Sequence, residues 1–434
     1  MINVRKWNPI MAFALSLEVA LFLGCGEDDV VEPDPINGAG EVNILTGKIT
    51  ESMTLSADRE HLLRGVVSVE SGATLTIEAG TKIYGEGASA GTLVIHQGGK
   101  IMARGSASNP IVMSSDQEVG KRSRGQWGGL IINGYAPTNQ GIQAGEGDTG
   151  DFGGENPADN SGVLEYVRVE YAGIEFSPDN ELNGIAFQGV GSGTKVDYIQ
   201  VHMNQDDGIE FFGGTVNAKR LLVTGARDDS FDWTDGWTGK GQFWVAQQYG
   251  DDADNGFEND NSSKNNDAEP RSAPTVYNVT LAGDPQGPES GVGLLIREGA
   301  GGVYRNFIVT GFGDAGLEIA NGSTIRLAKD GGLTVQNSIF YDNSGGNFAG
   351  ATTGGFDVAA WAKEASNNNS EADPKLADAF NKTDPDFRPG GAATDGSVKV
   401  ASPPSDGFFS PVNYIGGVDP ANNWTTGWTT SDQN

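Results

Sequence analysis

The sequence predicts an all-β chain built as a solenoid of parallel strands, and three observations carry the prediction. A turn pattern of Asn or Asp, then a small residue, then an apolar one recurs at Asn183-Gly184-Ile185, Asp207-Gly208-Ile209, Asp229-Ser230-Phe231 and Asn255-Gly256-Phe257, at spacings of 24, 22 and 26 residues. Short β-branched runs with period-two alternation lie between the turns and contain no helical stretch. Repeats of this length are too short for a strand-helix-strand crossover and too small to bury an apolar face alone, so they must stack on copies of themselves. Each rung then adds one strand to each of three parallel sheets, about 4.8 Å above the last, and turn residues form ladders along one edge.

Composition narrows the partners. The chain has 434 residues, 65 of them Gly, and a formal net charge of -30 from 58 acidic and 28 basic residues. That balance repels nucleic acid and anionic lipid headgroups and attracts divalent cations. Cys25 is the only cysteine, which excludes an internal disulfide and a thiolate-rich metal site. His61, His96 and His202 are scattered, leaving little material for a His-rich zinc site or a Ser/His/Asp triad.

Taken in order, the chain opens with basic Arg5 and Lys6 and an apolar run from Ile10 to Gly24, too short to span a membrane and suited to a signal-peptide core. The run ends Leu21-Phe22-Leu23-Gly24-Cys25, which resembles a bacterial lipobox. That resemblance implies removal of residues 1–24, diacylation of Cys25 and an outer-membrane address. Residues 26–40 are acidic and rich in Pro and Gly, so residues 25–45 are expected to be a flexible tether. An acidic run behind a lipidated cysteine also resembles the surface-export signal of Bacteroidota lipoproteins.

The solenoid is expected over residues 46–355. Ser71-Gly72-Ala73-Thr74-Leu75-Thr76-Ile77, Gly98-Gly99-Lys100-Ile101 and Asn109-Pro110-Ile111-Val112 resemble the opening coils of right-handed parallel β-helix proteins of the pectin-lyase-like kind. Thr138 to Gly162 is a long Gly-, Asp- and Asn-rich loop, and Asp260 to Ala273 is a polar insertion in an otherwise regular stack. With Trp127-Gly128-Gly129, Ser161 to Val169, Asp228 to Thr234 and Gly427-Trp428-Thr429, the chain also resembles uncharacterised β-helix surface lipoproteins of Bacteroidota-type bacteria. That likeness implies fold and address but no reaction. Residues 356–434 read as an irregular carboxyl-terminal cap, with a short helix after Asp357 as its N-cap, because an open last rung must be covered.

The acids of the repeating turn are the candidate site. Stacked rungs place Asp206 and Asp207 against Asp228 and Asp229, about 5 Å away. Three readings compete. The carboxylates accept hydrogen bonds from turn N–H groups and are structural. Alternatively Asp207, Asp229, Asp232 and Asp235 hold calcium, a hard cation that takes several oxygen ligands. In the third reading Asp206, Asp207, Asp228 and Asp229, with Arg227 as a neighbouring base, cleave a polysaccharide as a lyase or glycoside hydrolase. Asp pairs one rung apart resemble the acid cluster of polygalacturonase-type glycosidases, but the Gly-His-Gly and Arg-x-Lys of that group are missing here. Trp233, Trp237, Trp244 and Tyr249 are candidate ring-binding aromatics for a glycan or another envelope protein. The leading expectation is a surface binding or adhesion module, calcium-stabilised and anchored to the membrane by lipid; the alternative is the enzyme.

Overall fold

The computed structural model describes residues 42–177, 180–287, 289–349 and 355–434. The leader, Cys25 and the first part of the tether lie outside the described residues. The molecule is a right-handed parallel β-helix whose 23-stranded ladder contains only parallel pairings. Its first strand, Asn43–Ile49, starts three residues before the expected boundary at 46.

Between residues 162 and 319 each rung carries one short and one long strand. The short strands Ile185–Gln188, Ile209–Phe212, Phe231–Thr234 and Phe257–Asn259 stack in register. Alternation sorts their side chains. Ile185, Ile209, Phe231 and Phe257 form one inward column and Phe187, Phe211 and Trp233 another, while Ala186, Glu210, Asp232 and Glu258 point outward between them. The turn before each short strand needs a small residue, because a Cβ at Gly208 would sit 2.4 Å from a methyl of Val223 on the next rung. Ser230 takes the equivalent place.

The long strands resolve how three sheets arise from two strands per rung. Gly162–Glu170, Lys195–His202, Asn217–Thr224, Lys240–Gln247, Thr275–Ala282 and Gly302–Thr310 each bend at one left-handed residue. These are Tyr166, Tyr198, Arg220, Phe243, Asn278 and Asn306, with φ between 48° and 65°. Left-handed backbone costs most residues about 1–2 kcal/mol and Asn less. The column repeats at every rung, so it is a designed corner of the solenoid.

Three elements differ from expectation. A helix, Gly322–Asp330, occupies the last complete rung. The long loop after Thr138 carries a small antiparallel pair, Gln143–Ala144 with Asp151–Phe152. The insertion after Asp260 is partly internal, since Asn261 and Ser272 are fully buried and bonded to one another.

The carboxyl-terminal region does two jobs where the sequence suggested one. The expected helix forms at Val358–Ala362, and Asp357 caps it by accepting from the N–H of Ala360 at 2.9 Å. Phe356, Val358 and Trp361 close the hydrophobic core at that end. Residues 371–434 are instead a strap that folds back over the flank carrying the bends. Asn306 bonds both ways to the backbone of Ala401, Asn278 donates to the carbonyl of Tyr414, and Gln242 bonds both ways to Ser410. Trp428 stands edge-on to Tyr166 and Tyr198, which stack 4.2 Å apart. The strap reaches as far as His202, fully buried, whose ring bonds to Thr224 and to the carbonyl of Asp432.

Candidate functional site

The turn and short-strand faces bring the acids together in three columns over three rungs. The outer column is Asp206, Asp228 and Asp254; the middle is Asp207, Asp229 and Asn255; the strand column is Glu210, Asp232 and Glu258. Eight of the nine positions are therefore carboxylates. Their oxygens approach within 4.8 Å of one another in four triplets, including Asp207 with Glu210 and Asp232, and Asp229 with Asp232 and Glu258.

The middle column is laced to the backbone. One oxygen of Asp207 accepts from the N–H of Asp229 at 3.0 Å, one of Asp229 accepts from Asn255 at 2.6 Å, and the Asn255 carbonyl oxygen accepts from Val292. Each carboxylate thus spends one oxygen on the rung above and directs charge toward its neighbours. Two neutral or cationic groups end the patch. Asn183 donates to Glu210 at 2.6 Å and to Glu146 at 3.2 Å, and Arg297 grips Asp260 at 2.9 Å and Glu258 beside it. Between these ends no cation pairs with the columns among the described residues, and one oxygen of Asp232 is buried without a hydrogen-bond partner.

Burial and mutual repulsion act in the same direction. Asp207, Asp229 and Glu210 are 6%, 4% and 7% exposed. Burial first, then neighbouring acids, holds all three and Asp232 well above the carboxylate range. The same causes push Asp206 to about 7 and Glu146, brought in by the long loop, to about 8. Glu258 reaches about 7 through burial even though Arg297 pulls it down.

The aromatic residues read as ligand-binding are elsewhere. Trp233, Trp237 and Trp244 are 0% exposed and pack on Phe211, Phe231 and Phe257 inside the solenoid. Trp233 faces inward because it and Phe231 flank an outward Asp232, and none of the three, fully buried, can hold a sugar ring. Tyr249 is 4% exposed, with the Lys382 ammonium 5.6 Å over its ring. Arg227 is engaged in an ion pair with Asp252, so it is not free to serve as their base. Asp235 is separate from the acid triplets and accepts from Gln143 at 2.8 Å. Asp206, Asp207, Asp228, Asp229 and Asp232 do converge.

Sequence reasoning missed the roles of Glu210, Glu258, Glu146 and Arg297. Strand alternation carried the signal for the first two, because an acid one residue after an inward apolar residue, Ile209 or Phe257, must point outward. Glu146 and Arg297 come from distant segments and left no local trace.

The donor set fits a hard cation. All ligand atoms are carboxylate oxygens, and Asp232, which belongs to two triplets, has one buried oxygen without a hydrogen-bond partner. A family model described as pectate-lyase like beta helix domain matches residues 47–429. No curated protein and no solved structure matches the chain.

Proposed function

This chain belongs to the pectate-lyase-like beta helix family, and we propose that it serves as a non-catalytic binding module for a glycan or another envelope protein, with calcium on its acid columns. In the same proposal a lipid on Cys25 anchors it to the outer membrane, facing outward; the Leu21 to Cys25 motif is the support for that address. The observation that carries the calcium reading is Asp232, shared by two acid triplets and holding one buried oxygen without a partner. A bound calcium ion supplies the positive charge that lets adjacent carboxylates stay ionised. The protein's own part is positional. Asp207 and Asp229 are fixed by backbone N–H groups, Asn183 and Arg297 close the row, and the strand register sets Glu210, Asp232 and Glu258 one above another.

The enzyme reading, cleavage by Asp206, Asp207, Asp228 and Asp229, finds less support. Arg227 is engaged with Asp252, and two of the four acids spend an oxygen on backbone. The test couples two assays. Thermal unfolding is recorded with calcium and with chelator for the wild type and for Asp207→Asn/Asp229→Asn, and polysaccharide and envelope fractions are co-sedimented while product release is followed. Calcium is expected to raise the melting temperature of the wild type alone, and binding is expected without cleavage. Unsaturated or reducing-end products would overturn the non-catalytic reading; indifference to calcium would overturn the metal. Loss of radiolabelled palmitate in Cys25→Ser checks the anchor.

A further inference from the structure

Away from the acid columns, the strap and two solenoid loops enclose a mixed pocket of about 670 Å³ lined by Tyr249, Asp251, Asp284, Gly287, Phe380 and Lys382. That volume suits a small ligand or one or two sugar units. Phe380 is 41% exposed, whereas Phe387 and Trp428, which the strap also lays on the solenoid, are buried.

The ring is held out deliberately. Buried Gln247 donates one amide to the carbonyls on both sides of it, Ala379 at 3.0 Å and Asn381 at 2.9 Å. Lys382, next but one, donates to the carbonyl of Tyr249 at 2.6 Å and pairs with Asp284 at 2.7 Å. A backbone bridge between Asp378 and Asp386 closes the loop. The edge of the ring rests over Gly311, where a Cβ would come within 2.8 Å. An exposed aromatic clamped from both sides forms a preorganised contact, with its ordering cost met before any ligand arrives.

Two ion pairs flank it, Lys382 with Asp284 and Arg124 with Asp251, the latter bidentate at 2.6 and 3.1 Å. A flat apolar face beside fixed donor-acceptor pairs matches a pyranose, which offers C–H groups on its face and adjacent hydroxyls on its rim. Gly287 also lines a second pocket that holds Asp254, Glu289 and Asp314, so an acidic wall adjoins the first on the side of the outer column. Such a wall repels uronates and tolerates neutral sugars.

We infer that Phe380 is the anchor of a binding groove for a neutral glycan, running from the strap toward the acid columns. This deepens the glycan-binding reading and rests on it. The test titrates the full chain by calorimetry with cellopentaose, xylopentaose, mannopentaose and a galacturonate pentamer. At least one neutral pentasaccharide is expected to bind. Phe380→Ala is expected to weaken it at least about tenfold at an unchanged melting temperature, and Phe380→Tyr to retain it. Equal binding by Phe380→Ala, binding of the galacturonate alone, or no neutral pentasaccharide bound by the wild type would each overturn the groove. Polysaccharide co-sedimentation by the wild type would then still stand for the broader reading, so the two fail separately.

Discussion

Along the bend column, Asn278 and Asn306 pass their amides to the strap and leave no charge behind; along the acid columns, Asp207 and Asp229 bond to backbone and still face further carboxylates. Both columns repeat at the rung spacing. Stacking multiplies whatever a position carries. An amide or aromatic column is completed by one strap, because each group is both donor and acceptor or has a second ring to meet. A carboxylate column has only acceptors, so every added rung worsens it until protons or cations arrive.

The most severe way to break the contrast is to remove the strap. A chain ending at Ser370 strips partners from Asn306, Asn278, Gln242, Gln247 and Gln200 together. The expected outcome is loss of the cooperative thermal transition and of near-ultraviolet circular dichroism; a melt like that of the full chain would dissolve the contrast. Next comes pH. A carboxylate whose folded pKa is raised holds more protons folded than unfolded between the two values, so stability falls as pH rises through that window. With chelator present, the melting temperature is expected to drop between about pH 4 and about pH 8, following Asp206, Glu258 and Glu146 at about 7, 7 and 8. Calcium should flatten the drop, and a pH-independent melt in chelator would show that the columns carry no strain.

Single residues sharpen the comparison further. Asn306→Ala is expected to cost about 2–3 kcal/mol in denaturant unfolding, since it orphans the buried backbone of Ala401. Asp232→Asn should do the reverse, gaining about 1–2 kcal/mol in chelator at neutral pH while losing the calcium response. A loss there would mean that the charge is already compensated. Phe380→Ala should move stability by less than about 0.5 kcal/mol, because the ring is exposed and its loop is held by backbone bonds.

The fold was readable because the turn pattern and the strand alternation name the same rungs. The register that sets Asp207 under Asp229 follows from the 22-residue spacing alone. The corner was not readable, since its residues are Tyr, Arg, Phe and Asn, with no shared chemistry except a backbone conformation. The tryptophans were misread because their clustering drew more notice than the alternation of Trp233 with Asp232. The strap looked like a cap because its low periodicity shows where stacking stops and not where the chain goes next. Glu146 and Arg297 required the three-dimensional path.

The bend column has a consequence for how this chain can change its length. Many solenoids gain or lose copies of their repeat. Here the strap meets particular corners, Ala401 at Asn306, Tyr414 at Asn278 and Trp428 at Tyr166. A duplicated rung would slide every later corner by about 4.8 Å against a strap of fixed length. The strap is a ruler, and a change in copy number has to be matched by a change in the ruler.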